Sequence, residues 1–384
     1  MDDQTPRGFK GTTAHIGLKD DEEDFAVVVS EVPARSAAVF TRSRFSGPSV
    51  VLSRRDAAAQ AFRGMVVISR NANVATGAEG ARNAEEVRRR VAEIAGVAPE
   101  ELLIASTGVI GRQYPMDTVR GALDALPRTF GPADFAAAAK AIMTTDTRPK
   151  RHQVTCGDAV VVGIAKGVGM IEPDMATLLT FFFTDAEIPA DTLDAVFRRV
   201  VDKTFNALSV DTDTSTSDTA AIFANGLAGP VDPERFEAAL YDCALRLVRD
   251  IASDGEGAGT LIQVEVTGAR DAAQAKRVAK SVVNSPLVKT AVHGRDPNWG
   301  RVVMAVGKLR EETDIDPDRV TVRFGGLELY PAESTEARLE EAARYLAGDE
   351  VVIRVGLGIA DGAFTVYGCD LTEGYVKINA DYTT

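Results

Sequence analysis

A chain of 384 residues, 45% hydrophobic and 26% charged, has the composition of an ordinary water-soluble globular protein with a sizeable core spread over two or three lobes. Its formal charge of −13 repels nucleic acid and anionic membrane surfaces, which leaves a small-molecule partner as the better fit. No uninterrupted apolar stretch approaches the roughly 20 residues of a membrane helix, and the acidic start MDDQTPRGFKG lacks the basic-then-apolar order of a secretory signal, so a cytoplasmic location is expected. Three cysteines, Cys156, Cys243 and Cys369, are odd in number and far apart. They offer neither a disulfide framework nor a C-x-x-C metal spacing and are expected to be buried thiols.

Residues 1–80 alternate short β-rich runs with turns: DFAVVVSEV, SAAVFTRS, SVVLSR and GMVVISR. The short gaps favour a mixed or antiparallel sheet over a doubly wound parallel one. Asn71, Ala72 and Asn73 then form a polar turn. NAEEVRRRVAEI has the helical spacing of Val87, Val91 and Ile94, and its basic run Arg88 to Arg90, flanked by Glu85, Glu86 and Glu93, reads as a solvated helix face. ELLIASTGVIG is a strand that breaks at Thr107-Gly108. A plain strand end fits there, and so does an oxyanion hole, since small residues let backbone N–H groups point into a site. The helix DFAAAAKAIM leads to TTDTRPK, and the strand VVVGIA to KGVGMIEPDMATLLTFFF.

That last stretch reads as a glycine-bearing loop, with Gly167 and Gly169, delivering Thr177 to the start of a buried strand over Leu178 to Phe183. A threonine there is ordinarily structural; the alternative is an activated nucleophile. DTLDAVFRRVVDKTF is an amphipathic helix, and SVDTDTSTSDT, which lacks the glycine and glutamate of an EF-hand loop, reads as a hydrogen-bonded wall beside a site. The longest helix, FEAALYDCALRLVRDIAS, stops at DGEGA, which carries Glu256. A strand, TLIQVEVTGA, and a helix–break–helix follow, then the turn GRDPNWGR, where Trp299 is expected to be a packing anchor. His15, His152 and His293 have no zinc-ligand spacing, and no metal or cofactor is expected. RVTVRFGGLELY and EVVIRVGLG are strands around the helix EARLEEAARYL, and the chain ends in GAFTVYGCDLTEGYVKINADYTT.

KGVGMIEPDMATLL resembles the signature of the ornithine acetyltransferase (glutamate N-acetyltransferase) family, whose precursors are similar to this chain from end to end. The resemblance implies an α/β layered sandwich of mixed β-sheets and helices of the self-cleaving N-terminal-nucleophile type. It implies a cut between Ala176 and Thr177, giving an α chain of residues 1–176 and a β chain of residues 177–384 that assemble as an α2β2 heterotetramer. Thr177 would be the nucleophile and Thr107 with Gly108 the oxyanion hole. Thr144, Lys166, Thr177, Glu256, Asn379 and Thr384 would hold the amino-acid substrates, N2-acetylornithine and glutamate. Thr212 and Ser217 depart from the family's usual DGDTSTND. EPDMATLLTFF, DTDTSTSDT and the ending DYTT are most similar to the form associated with clavulanic acid gene clusters, so arginine biosynthesis and clavulanic acid biosynthesis both stand as pathways.

A threonine hydroxyl is a poor nucleophile at neutral pH, and this chain has three histidines and no G-x-S-x-G elbow to activate one. An N-terminal threonine carries its own base, an α-amine with a reference pKa of about 7.7–8.0. The activity that the resemblance implies is acetyl transfer from N2-acetylornithine to glutamate by a ping-pong cycle through acetyl-Thr177. Two other readings remain: an N-terminal-nucleophile amidase or aminopeptidase with water as acceptor, and an uncleaved amino-acid-binding protein.

Overall fold

Side chains alternate across a strand, and in the strand Leu179–Glu187 that alternation sets the layering of the protein. In the computed structural model, which describes residues 4–19, 22–172 and 178–381, Phe181 and Phe183 enter one apolar layer and Phe182 the opposite one. Every residue from Leu179 to Ala186 is buried, as a strand covered on both faces must be. Its sheet runs Arg35–Phe40, Thr219–Pro230, Leu179–Glu187, Ala159–Lys166, Lys150–Cys156, with Thr219–Pro230 parallel to Leu179–Glu187 and the other neighbours antiparallel.

A second mixed sheet, ordered Leu102–Ser106, Gly64–Ile68, Phe25–Ser30, Phe9–Ala14 and the short Gly131–Pro132, packs on the Phe181 and Phe183 side. Val28, Val67 and Leu103 share that layer, while Val27, Val66 and Ile104 on the sheet's other face meet Val87 and Val91 of the helix Gly77–Ala95 and Val119 of Met116–Asp124. The Phe182 side of the central sheet is covered by the helices Ala190–Lys203 and Pro233–Ser253 through Val196, Phe197, Leu240 and Leu247. The order helix–sheet–sheet–helix is the α/β layered sandwich of mixed sheets that was expected. A third sheet, Leu327–Tyr330, Thr321–Phe324, Glu350–Gly356, Leu261–Ala269, Gly362–Cys369, forms its own core with helix Ala272–Val283. It is tied to the sandwich by Ser209 N donating to Tyr367 O at 2.8 Å.

Ala176 and Thr177 lie outside the described residues, as does Thr384. The strands on either side of them, Ala159–Lys166 and Leu179–Glu187, are antiparallel neighbours with Ile164 opposite Phe181, so residues 1–176 and 177–384 contribute to one sheet.

Two local expectations are corrected. SVVLSR is not a strand but belongs to the helix Pro48–Asp56; proline at the first turn lacks only an N–H that would be unpaired there. Buried pairs at Ser49–Val50 and Leu52–Ser53, separated by exposed Val51 and followed by exposed Arg54, follow a helical rather than a two-residue period. Arg88 does not lie on a solvated face: it is 1% exposed and pairs with Asp56 at 2.6 Å, where the Pro48–Asp56 helix ends. The cysteines are free and buried. Trp299 stacks on Tyr330 with ring centroids 5.1 Å apart and donates to Ser334 Oγ, although its turn leads directly into a helix, Trp299–Gly307, that the sequence pattern did not announce. Among the described residues no helix is long and apolar enough to cross a membrane.

Phe183 is fully buried, with the rings of Phe9, Phe135 and Phe223 at 5.5, 5.1 and 5.3 Å. Phe183→Ala is expected to cost about 3–5 kcal/mol, the scale for emptying an aromatic core position. Urea unfolding should show a lower midpoint with an unchanged slope.

Candidate active site

The strand Leu102–Ser106 lies parallel to Gly64–Ile68, and the chains beyond both strands stay in register. Thr107 N donates to Ile68 O and Val109 N to Arg70 O, at 3.0 and 3.1 Å. Between them Gly108 takes φ +127°, and a Cβ there would sit 2.2 Å from the Arg70 carbonyl carbon. Only glycine fits both the dihedral and the approach. The consequence is an N–H at Gly108 with no hydrogen-bond partner among the described residues, at the rim of a cavity of about 190 Å³ that Thr107 also lines.

Behind this cavity a buried cation ties three loops together. Lys150, fully buried, donates to Asp146 Oδ1 at 2.7 Å and to Asp254 Oδ2 at 2.6 Å. Asp146 also accepts from Thr144 N at 3.0 Å and from Gly167 N at 2.7 Å. Asp254 accepts from the backbone and the hydroxyl of Thr147. The TTDT segment, the glycine-bearing loop and the turn at Glu256 are thereby fixed to one ammonium. Burial alone would raise the Asp146 carboxyl, but the charges of Lys150 and Lys166 and the donated hydrogen bonds outweigh it and hold that carboxyl below its ordinary range.

On the cavity side, Glu256 accepts from Thr145 Oγ1 at 3.1 Å and from Asn379 Nδ2 at 2.8 Å, and its backbone N–H donates to Val168 O. A Cβ at Gly169 would stand 2.4 Å from Glu256 Oε2, so the loop's second glycine is what lets the carboxylate approach. Lys166 ends its strand beside Thr144, with Nζ 3.4 Å from Thr144 Oγ1. Burial lowers its pKa, against the opposing pull of Asp146, Asp218 and Glu256.

The wall Asp211–Thr219 fastens the far end of the loop. Asp211 accepts from Met170 N at 2.6 Å and Ile171 N at 2.8 Å, and Glu172 N donates to Asp213 O. The Glu172 carboxylate accepts in turn from Ser209 Oγ and Asn284 Nδ2. Both flanks of residues 173–177 are therefore held, since Thr219 N donates to Leu178 O at 2.9 Å on the other side.

Six of the residues singled out in the sequence, Thr107, Gly108, Thr144, Lys166, Glu256 and Asn379, line this one cavity. Ala176, Thr177 and Thr384 lie outside the described residues. Thr145, Asp211 and Tyr375 line it too without having been singled out as site residues. The signal for Tyr375 was its spacing: it stands one helical turn before Asn379 on Glu373–Asp381, and its carbonyl accepts from the Asn379 amide at 3.1 Å.

Lys150→Met should destabilise the fold by about 3–5 kcal/mol, because it leaves two buried carboxylates without their cation. Asp146 has a depressed pKa in the folded state, so its contribution is present above the unfolded-state value and is lost as pH falls through the folded value. The stability gap between wild type and Lys150→Met, read by urea unfolding, should therefore be widest near neutral pH and narrow on acidification.

The ArgJ family model matches residues 10–384. Over 387 aligned residues the chain is 63% identical to glutamate N-acetyltransferase Oat2 of Streptomyces clavuligerus, covering 99% of this chain and 98% of that protein. It is 54% identical to the arginine biosynthesis bifunctional protein ArgJ of Rhodococcoides fascians, covering 100% and 96%. The crystal structure of the arginine biosynthesis bifunctional protein argJ from Bacillus halodurans matches with 41% identity and a TM-score of 0.49, over 52% of this chain and 96% of that one. With a family model spanning nearly its whole length and relatives this similar along theirs, the chain belongs to the ArgJ family.

Proposed function

We propose that this protein is a self-processing acetyltransferase that moves the acetyl group of N2-acetylornithine to glutamate through an acetyl-Thr177 intermediate. The observation that carries the reading is the convergence of Thr107, Gly108, Thr144, Lys166, Glu256 and Asn379 on one cavity, at the ends of the two strands that flank the Ala176–Thr177 bond. The names of the relatives, glutamate N-acetyltransferase and arginine biosynthesis bifunctional protein, supply the matching activity.

An amino-acid substrate presents a carboxylate and an ammonium group. Lys166 is suited to the first, with Thr144 beside it, and the Glu256 carboxylate, braced by Thr145 and Asn379, to the second. Processing would free the Thr177 α-amine to take the hydroxyl proton as Oγ attacks the acetyl carbon. The Gly108 N–H and the Thr107 hydroxyl, both at the cavity, would donate to the oxyanion of the tetrahedral intermediate. Collapse would release ornithine, which leaves with the proton held by the amine, and the glutamate amine would then repeat the attack on the acetyl ester. Thr384 would close the substrate pocket from the C-terminal end. Chains 1–176 and 177–384 in an α2β2 assembly, a cytoplasmic location, and a place in arginine or clavulanic acid biosynthesis belong to the same reading.

Incubation with N2-acetylornithine should yield an acetyl adduct on a fragment beginning at Thr177, visible by intact mass and slow to clear in water, and glutamate should discharge it as N-acetylglutamate. Equal discharge without glutamate, with free acetate as product, would replace the transferase by an amidase. A full-length chain that never splits would favour an amino-acid-binding protein.

Thr107→Ala should lower turnover by ~10²-fold, the scale for losing one oxyanion donor, with little change in N2-acetylornithine affinity. Steady-state kinetics alongside calorimetric binding separates the two quantities; unchanged turnover removes the hydroxyl from the mechanism.

A further inference from the structure

The cavity of the candidate site is polar almost throughout, and Ile110 is the exception: among the described residues that line it, no other has a side chain of carbon and hydrogen alone. Ile110 is half-buried and stands two residues beyond Gly108, whose N–H is free at the cavity rim. Its backbone is pinned on both sides. Val109 N donates to Arg70 O at 3.1 Å, Ala72 N to Val109 O at 3.0 Å and Gly111 N to Val74 O at 2.9 Å. The partner segment is itself fixed. Asn71, Ala72, Asn73 and Val74 are all buried, Asn73 Nδ2 donates to Gly80 O at 2.8 Å, and Asn71 Nδ2 donates to Gln113 O at 3.1 Å. None of those four residues lines the cavity. The polar turn at Asn71 and Asn73 is thus a rigid backing for the segment that carries Thr107, Gly108 and Ile110.

We propose that Ile110 sets which acyl group the enzyme transfers, by closing the recess beside the Gly108 N–H to chains longer than acetyl. The proposal rests on the acetyl-transfer reading above and deepens it. An acyl group is a polar carbonyl joined to an apolar tail, and its two ends need different neighbours: the oxygen needs a hydrogen-bond donor, the tail a surface that loses no hydrogen bond when covered. With the oxygen at the Gly108 N–H, the tail begins one bond from the carbonyl carbon and meets the same short segment. The hydroxyls, carboxylates and ammonium elsewhere on the lining would each be desolvated against it, and Ile110 would not. Met170 also lines the cavity, on the loop fastened to Asp211, but its unbranched thioether adapts to whatever fills the space. A β-branched side chain on a pinned backbone does not adapt. That stiffness makes Ile110 a limit on chain length rather than a yielding contact.

The test is a donor series, N2-formyl-, N2-acetyl-, N2-propionyl- and N2-butyrylornithine, with glutamate as acceptor and the acylglutamate product identified by mass. Wild-type kcat/KM should fall from acetyl to butyryl. Ile110→Ala should raise the butyryl-to-acetyl ratio of kcat/KM by ~10-fold or more, the lower end of what one methylene is worth in a hydrophobic pocket, and Ile110→Phe should shift the preference from acetyl toward formyl by a similar factor. A merely structural Ile110 would scale every donor together. Donor ratios equal to wild type in both variants overturn the proposal, as does a wild-type enzyme that takes butyryl as readily as acetyl. If the alanine variant does not fold, Ile110→Val, which removes a single methylene, carries the same test on the propionyl-to-acetyl ratio. Wild-type chain that makes no N-acetylglutamate from N2-acetylornithine removes the transferase reading itself, a different outcome from transfer that is indifferent to Ile110.

Discussion

Lys150 is an ammonium with no water to share its charge, and the candidate site is arranged around that constraint. A buried cation must be met by anions and hydrogen-bond acceptors or it will not stay charged. Here it is met by Asp146 and Asp254, which come from segments 108 residues apart in sequence and have no other reason to approach. Each carboxylate has oxygens to spare, and these collect backbone N–H groups from Thr144, Gly167 and Thr147. A pair of this kind adds little net stability, because desolvation offsets the attraction. Its effect is positional: the loops that carry Thr144, Lys166 and Glu256 can adopt few other mutual arrangements without stranding a buried charge.

The layered sandwich explains why the cavity forms where it does. Thr107 follows a strand of the second sheet, Lys166 ends a strand of the central sheet, and Leu178 precedes the neighbouring one. Strand ends of two stacked sheets therefore meet at one end of the shared apolar layer. Helix Pro233–Ser253, which covers the opposite face of the central sheet, runs out into the turn of Glu256, and the C-terminal helix Glu373–Asp381 brings Asn379 over it. Strand ends leave backbone N–H groups without ladder partners, and at Gly108 such a group is kept free by a conformation that only glycine adopts.

Much of this was legible in the sequence, and the failures have physical causes. The strand Leu179–Glu187 and the helices Ala190–Lys203 and Pro233–Ser253 follow from apolar runs and spacings that burial enforces over many residues. The Pro48–Asp56 helix was hidden because four apolar or small residues in a row suit either period, and only the packing decides. Arg88 was misjudged because its partner Asp56 sits on another helix, and a charge run shows only its near neighbours. The six residues gathered in the cavity were found through the motifs that carry the family resemblance, since Glu256 among glycines and Lys166 at a strand end have no local pattern that sets them apart. Lys150, Asp146 and Asp254 left no trace at all: a lone lysine is usually a surface cation, and its burial is a property of three segments meeting.

Two aspartates near the cavity show how far the fold alone can separate groups of one chemical type. Asp146 and Asp218 are both buried, and burial pushes both toward the neutral form. Asp146 faces two lysines, one of them in direct contact, and accepts from two backbone N–H groups, so it remains a carboxylate. Asp218 meets the attraction of Lys166 and donors from Ser215, Thr41 and Leu178, with one oxygen unpaired, and burial outweighs them and holds its carboxyl well above the ordinary range. Lys166 feels both: it is the counterion that Asp146 shares with Lys150 and the charge that Asp218 incompletely answers. On one side of the lysine the surroundings thus favour a charged carboxyl and on the other they disfavour it, so burial alone sets the state of neither.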